Sequence, residues 1–376
     1  MNYYNIYNSN TYAGSANQHF FTMPSGEVRT GRVLYKITVP GTYNYSLLFS
    51  NVIDSTYSDG SQSQRNLVCN QWTIHRARIG ICDPFNNTKD ITAITMSDEP
   101  DESSDIVPRN FVTLTFDGSE TKEVMPGEFF SSDSLVLSFS PGQYLCLEIT
   151  FSGTMIPYHE ESLLPVFVKE GQVWHYSKKM PFAGMIGCDR KTTARVAYLG
   201  DSITQGIGTR PNSYLHWNAL FSDMLGTDFS FWNLGIGYGR ANDAATNGSW
   251  MRKAKQNDIV VVCFGVNDIY KNQPEQQIKD DILYIVKELK KDGRRVVVQT
   301  IPPFDYPEGK LAMWQRINHY ILSEVSAFAD AVFDTVPLLE KPGSPGVALY
   351  GGHPNEEGCK LWAEALYKEV AYIFGK

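Results

Sequence analysis

Long hydrophobic runs are missing from this 376-residue chain. No apolar stretch is long enough to cross a bilayer as a helix, and mean hydropathy is −0.27, so a membrane-spanning role is not expected. Basic charge is also in short supply: 33 Lys and Arg against 41 Asp and Glu leave a formal charge of −8. An acidic chain has no electrostatic pull toward phosphate backbones or anionic lipid, so neither a nucleic-acid nor a membrane partner is expected. Paired cysteines are absent too. Cys69, Cys82, Cys146, Cys188, Cys263 and Cys359 stand singly, with no CxxC and no matching Cys/His spacing. That argues against a disulfide framework and against structural zinc. Cys263, inside IVVVCF, reads as a small buried hydrophobe. The opening MNYYNIYNSNTYAG has neither the basic nor the apolar segment of a secretory signal. A cytoplasmic protein with reduced thiols is the expectation, or a secreted one whose leader has been trimmed.

What is present divides into two grammars. Aromatic residues form 13% of the chain, and many stand in the first half among Ser, Thr, Asn and Gly. There apolar residues alternate over short runs at 33–39 (VLYKITV), 43–49 (YNYSLLF), 111–116 (FVTLTF), 135–139 (LVLSF) and 144–151 (YLCLEITF). Turn dipeptides punctuate them: Pro40-Gly41, Asp117-Gly118, Pro126-Gly127 and Pro141-Gly142. This pattern predicts an antiparallel, jelly-roll-like sandwich with no helix before residue 190. From Arg195 onward, continuous apolar strands alternate with helical stretches, predicted at 212–225, 242–255, 274–291, 311–328 and 355–373. Strand–helix alternation means βαβ units, a parallel sheet and helices on both faces. The reading is therefore a sandwich over 1–187 followed by a three-layer α/β/α domain over 188–376. In such sheets ligands bind beyond the carboxyl ends of the strands.

Four constellations stand at those ends: GDSITQG at 200–206, NLGIGYG at 233–239, GVND at 265–268, and GGHPN at 351–355. Each alone is an ordinary loop, since Ser caps helices and Asn forms turns. Their order and common location carry the signal. Together they resemble the SGNH subgroup of the GDSL esterase/lipase superfamily, which implies a flavodoxin-like hydrolase domain from Arg195 to the C-terminus. The resemblance implies Ser202 as nucleophile and His353 as general base. It also implies an oxyanion hole from the Ser202 N–H, the Asn267 side-chain amide and one N–H of the second block. The family's glycine five residues after that block's asparagine is here Tyr238, so Tyr238 or, shifted by one, Gly239 supplies the last donor. Asp201 and Asp268 are read as structural support of the site. The first half is similar to the β-sandwich that precedes the hydrolase domain in two-domain carbohydrate esterases.

The family's Asp three residues before the histidine is here Tyr350. Either the site works as a Ser-His dyad or an acid comes from elsewhere, with Asp334 as a candidate. Trp250 and Tyr350 are candidate substrate contacts, since a flat aromatic near these loops suits a sugar ring. In the first half, 50–60 (SNVIDSTYSDG) and 70–75 (NQWTIH) either wall the site or cap the sandwich. The other histidines lack ligand spacing, so no metal and no cofactor are expected. The resemblance implies a serine esterase acting on O-acyl, foremost O-acetyl, groups of a small-molecule or oligosaccharide substrate. A lipase or thioesterase of the same superfamily, and a vestigial carbohydrate-binding protein, are the alternatives.

Overall fold

Alternation of apolar residues in the first half becomes antiparallel pairing. The computed structural model describes residues 2–14, 16–56, 64–86 and 88–376. These group into two units: 1–54, 66–191 and 211–213 form the first, and 55–65, 192–210 and 214–376 the second. In the first unit, one sheet runs in the order Asn8–Ser9, Met185–Cys188, Gly41–Ser50, Phe129–Ser131, with Leu135–Phe139 also on Gly41–Ser50. The larger sheet runs Val173–Tyr176, Val166–Glu170, Arg29–Lys36, Tyr144–Gly153, Trp72–Cys82, Arg109–Leu114, with Lys122–Val124 also on Trp72–Cys82. Tyr144–Gly153 is paired along both edges, and residues 144–149 are all buried. That burial includes Glu148, whose charge is met by Arg32 at 2.8 Å and Arg78 at 2.6 Å. A buried carboxylate needs such partners. One face of this sheet packs Leu34, Cys146, Phe167 and Trp174 against Ile91, Ile94, Met96 and Ile106 of the loop that follows Trp72–Cys82.

The two stretches read as walling the site or capping the sandwich are partly strand. Val52–Thr56 pairs with Gln64–Val68, and residues 57–60 lie outside the described residues. Trp72 begins a strand of the larger sheet and is buried. The turns Tyr3–Asn5 and Ile91–Ala93 are the helical segments before residue 190 among the described residues, both 3₁₀.

The second unit holds a parallel sheet. Its strands, in chain order, are Ala194–Gly200, Phe229–Asn233, Ile259–Cys263, Arg295–Gln299 and Ala331–Phe333. Their spatial order is 2-1-3-4-5 in that count, the doubly wound arrangement. Between them run α1 (Ser202–Gln205), α2 (Trp217–Leu225), α3 (Ala241–Ala244), α4 (Ser249–Ala254), α5 (Val266–Tyr270), α6 (Glu275–Lys290), α7 (Glu308–Ser323), α8 (Val336–Leu339) and α9 (Glu356–Val370). Helix α2 packs on α9 through stacked Trp217 and Trp362 rings 5.0 Å apart, while α6 packs on α3 and α7.

Three helix expectations change. The helix expected from 212 begins at Trp217, because Asn212 and Tyr214 take positive φ. The helix expected over 242–255 is two, α3 and α4, parted around Asn247-Gly248. Helix α5, right after Gly265, was not expected. His159 and His216 are both buried, His216 at the N-cap of α2.

Candidate active site

The first strand delivers a short, forced turn. Gly200 at its end leaves no room for a side chain: a Cβ there would lie 2.6 Å from Cys263 O. Asp201 then caps α1, its Oδ1 accepting from Ile203 N at 3.0 Å. Burial without a cation raises this carboxyl to about 7. Ser202 is thereby the first residue of α1, where its own N–H has no intrahelical acceptor. Gly206, at φ 116°, ends the helix after a single turn. The serine side chain stands at the carboxyl edge of the sheet.

His353 reaches it from the turn before α9. Ser202 Oγ and His353 Nε2 are 2.7 Å apart. Asn355 fixes that turn from both sides, its N–H on Tyr350 O at 3.1 Å and its Oδ1 capping α9 at Gly358 N, 3.0 Å. Gly208 presses on the same turn, where a Cβ would sit 2.6 Å from His353 O. The Phe304 ring meets the imidazole edge to face, centroids 5.1 Å apart. Burial pulls the imidazole below its ordinary 6.5, and no charged neighbour opposes it. Among the described residues, Ser202 is the one hydrogen-bond partner of His353.

The third and second blocks meet each other. Asn267, on α5, donates one amide hydrogen to Gly239 O at 3.0 Å, leaving the second for a ligand. Gly239 N–H is spent on Ile236 O at 3.1 Å. Tyr238 sits at φ 61°, a left-handed conformation that explains why a glycine is usual there. Its side chain is 38% exposed. Asp268, fully buried, accepts from Ala241 N at 3.0 Å and Asn242 N at 3.4 Å, tying α5 to the start of α3. Burial raises its carboxyl to about 7 as well.

Ser202, His353, Asn267 and the Tyr238–Gly239 turn thus lie in one unit, with Asp201 and Asp268 holding their backbones. Other sequence candidates fall elsewhere. Trp250 is 1% exposed, donates to Leu234 O at 2.7 Å and packs on Phe264, so it is core and not a substrate contact. Asp334 accepts from Thr300 Oγ1 at 2.9 Å and from Val336 N at 3.1 Å, and makes no bond to His353. Gly239 is occupied as a donor. Tyr350 is half-buried against Gly358, where a Cβ would lie 2.6 Å from its own. Phe304 was missed: it follows Pro302-Pro303 with no spacing signal of its own. Among the described residues no three His, Cys, Asp or Glu side chains gather as metal ligands, and no helix is long and apolar enough to cross a membrane.

A serine hydroxyl thus stands on an imidazole at the carboxyl edge of a doubly wound parallel sheet. Residues 198–361 match the GDSL-like Lipase/Acylhydrolase family. No curated protein matches. Among solved structures, the chain is similar to a family two carbohydrate esterase from Clostridium thermocellum in complex with cellohexaose. That likeness has 12% identity and a TM-score of 0.41, covering 98% of this chain and 99% of that one. Axe2, an acetyl xylan esterase from Geobacillus stearothermophilus, is 18% identical at a TM-score of 0.39 over 48% of this chain and 96% of its own. The M. Smegmatis aryl esterase is 18% identical at 0.38, over 47% and 98%.

Proposed function

We propose that this chain is a serine esterase that removes O-acyl groups, foremost O-acetyl, from a carbohydrate, working through a Ser-His dyad. The observation that carries the reading is the 2.7 Å bond between Ser202 Oγ and His353 Nε2 at the strand end. A neutral imidazole, proton on Nδ1, takes the hydroxyl proton at Nε2 as Oγ attacks the ester carbonyl. Negative charge then develops on the former carbonyl oxygen. The Ser202 N–H and the second hydrogen of Asn267 Nδ2 serve it, with one N–H of the Tyr238–Gly239 turn as the third donor. The intermediate collapses, the alcohol leaves with the proton from Nε2, and Ser202 is acylated. Water repeats the sequence, giving up its proton to Nε2 and releasing the acid.

The exposed Tyr238 ring supports a sugar as the alcohol part. It belongs to the turn that lines the oxyanion site, and a flat aromatic face there suits stacking on a pyranose. The first unit, with its two antiparallel sheets, is on this reading the jelly-roll-like sandwich that accompanies such a domain. The test pairs a serine-directed fluorophosphonate with two substrate series. Labelling of wild type but not Ser202→Ala, turnover that collapses beyond acetate and propionate p-nitrophenyl esters, and acetate release from acetylated oligosaccharides are expected. A preference for long acyl chains would replace this reading with a lipase or thioesterase. Absence of labelling would make the site vestigial.

A further inference from the structure

Prolines enclose the segment Phe304-Asp305-Tyr306 after the fourth strand of the parallel sheet, Pro302 and Pro303 before it and Pro307 behind it. Proline fixes its own φ and restricts the residue before it, so the segment is entered and left along stiff chain. Its approach is held by Asn318, whose Oδ1 accepts from Ile301 N at 2.8 Å. Its end is held by the Tyr306 ring, stacked on Trp314 with centroids 5.4 Å apart. Asp305 between them takes φ 53°, a left-handed conformation that a non-glycine residue keeps only where its surroundings enforce it. The contacts of this segment run to the chain that carries His353. Tyr306 N donates to Gly346 O at 3.3 Å, and Ala348 N donates to Asp305 Oδ1 at 3.0 Å. The Phe304 ring lies so close to Gly352 that a Cβ there would be 3.0 Å from its Cδ2, and it meets the imidazole itself at 77°.

We propose that Phe304-Asp305-Tyr306 is a clamp that positions the His353 imidazole for Ser202, doing the orienting half of the work that a third-member carboxylate does in a triad. The inference rests on the Ser-His reading above and adds positioning residues to it. Among the described residues no carboxylate bonds to the ring: Asp305 is turned to Ala348 N, and Glu356 pairs with Arg210 at 3.6 Å. An imidazole with one hydrogen bond can still turn about its side-chain torsions, and packing has to select the rotamer. Phe304 supplies that packing, while the bonds at Gly346 and Ala348 fix the backbone from which His353 hangs. Tyr270 ties the clamp to α5. Its hydroxyl donates to Phe304 O at 2.8 Å and to Asp305 O at 3.2 Å, and its ring lies 5.4 Å from that of Phe304. Lys310 secures the same helix end, donating to Ile269 O at 3.0 Å and Tyr270 O at 2.7 Å. Since α5 also carries Asn267, the base and the proposed oxyanion donor rest on one strut.

The experiment uses the full chain. The His353 side chain is titrated in ¹⁵N-histidine-labelled protein, its resonances assigned by their loss in His353→Gln, and kcat and KM for p-nitrophenyl acetate are measured beside it. Phe304→Ala removes the ring and lets water reach the imidazole, which burial holds below 6.5. The expected result is a His353 pKa that rises toward 6.5, with kcat lowered about ten- to a hundredfold and KM within about twofold. Phe304→Tyr keeps the ring and should restore both. Tyr270→Phe deletes only the hydroxyl and should lower kcat in the same direction without moving KM. Should Phe304→Ala fold poorly, Phe304→Leu keeps apolar bulk without the ring, and the same loss of kcat is expected. Wild-type kcat and His353 pKa in the ring-deleted variant overturn the proposal. So does a loss of kcat that leaves the pKa in place and that Phe304→Tyr does not restore, since the segment would then matter only to folding. A wild type that hydrolyses no ester would overturn the esterase reading alone. The His353 titration does not depend on turnover, and an unmoved pKa would still sink the clamp.

Discussion

At His353 a single hydrogen bond stands in for a triad. Burial disfavours the imidazolium and lowers its pKa below 6.5, while a neighbouring carboxylate would raise it. On the proposed mechanism the neutral ring is the base, so kcat/KM for p-nitrophenyl acetate should climb with pH through an apparent pKa below 6.5 and level off above it. A midpoint above 7 would reveal a hidden acid. Asp334→Asn should cost far less than the roughly 10⁴-fold that loss of a triad carboxylate brings. Asn267→Ala should lower kcat by roughly 10²–10³ with little change in KM, and a change confined to KM would make it a binding group. Tyr238 allows a different check. Left-handed φ costs a non-glycine residue about 1–2 kcal/mol, and glycine returns about 0.5–1 kcal/mol of that as unfolded-state entropy. Tyr238→Gly should therefore barely change stability in urea, yet raise KM for an acetylated oligosaccharide while sparing p-nitrophenyl acetate. Equal KM in both proteins would remove the stacking role. Ser202, Asn267 and His353 were legible in sequence because each sits in a short motif at a strand end. Phe304 was not, since one aromatic after two prolines marks nothing until the fold brings it to the imidazole.

At the scale of elements, the strands and long helices were legible because burial on both faces writes continuous apolar runs and one-sided burial writes a helical period. The short helices were not. A four-residue helix such as α3 has no period, and its start depends on a remote side chain, Asp268, accepting two of its N–H groups. That dependence is testable through pH. The folded state holds the Asp268 proton more tightly than the unfolded chain does, about 7 against 3.8. The stabilisation from that proton is complete below about 3.8 and is lost as pH rises through about 7. Asp268→Asn does not titrate, so its deficit against wild type should narrow between pH 4.5 and 7.5 in urea unfolding. A deficit that widens with pH would mean that the ionised carboxylate, not the neutral one, holds α3.

For the whole molecule, the change of grammar at Arg195 was visible in composition, but the membership of residues 55–65 was not. This segment lies deep in the first half of the sequence and groups with the second unit. Ser55, buried, donates to Asp243 Oδ2 at 2.8 Å, beside the Arg240–Asp243 ion pair at 2.7 Å. Arg65 Nη1 donates to Asn242 O at 2.6 Å, and Asn242 Nδ2 to Asp281 at 3.0 Å. Both contacts fall on α3, whose first N–H groups rest on Asp268, next in sequence to Asn267, the proposed oxyanion donor. Nothing local in the sequence at 55 or 65 announces this, because the partners are nearly two hundred residues away. A hydrolase domain cut from the chain at 192 loses both contacts. Ser55→Ala with Arg65→Ala in the full chain removes one buried and two exposed hydrogen bonds and should cost about 1–3 kcal/mol of stability. It should also lower kcat for p-nitrophenyl acetate more than it raises KM, since a looser α3 blurs the donors that act in the transition state and not the ground state. The fragment 192–376, if it folds, should reproduce that kinetic loss. A fragment with the full chain's kcat and unfolding midpoint would show that the segment merely rests on α3 without holding it.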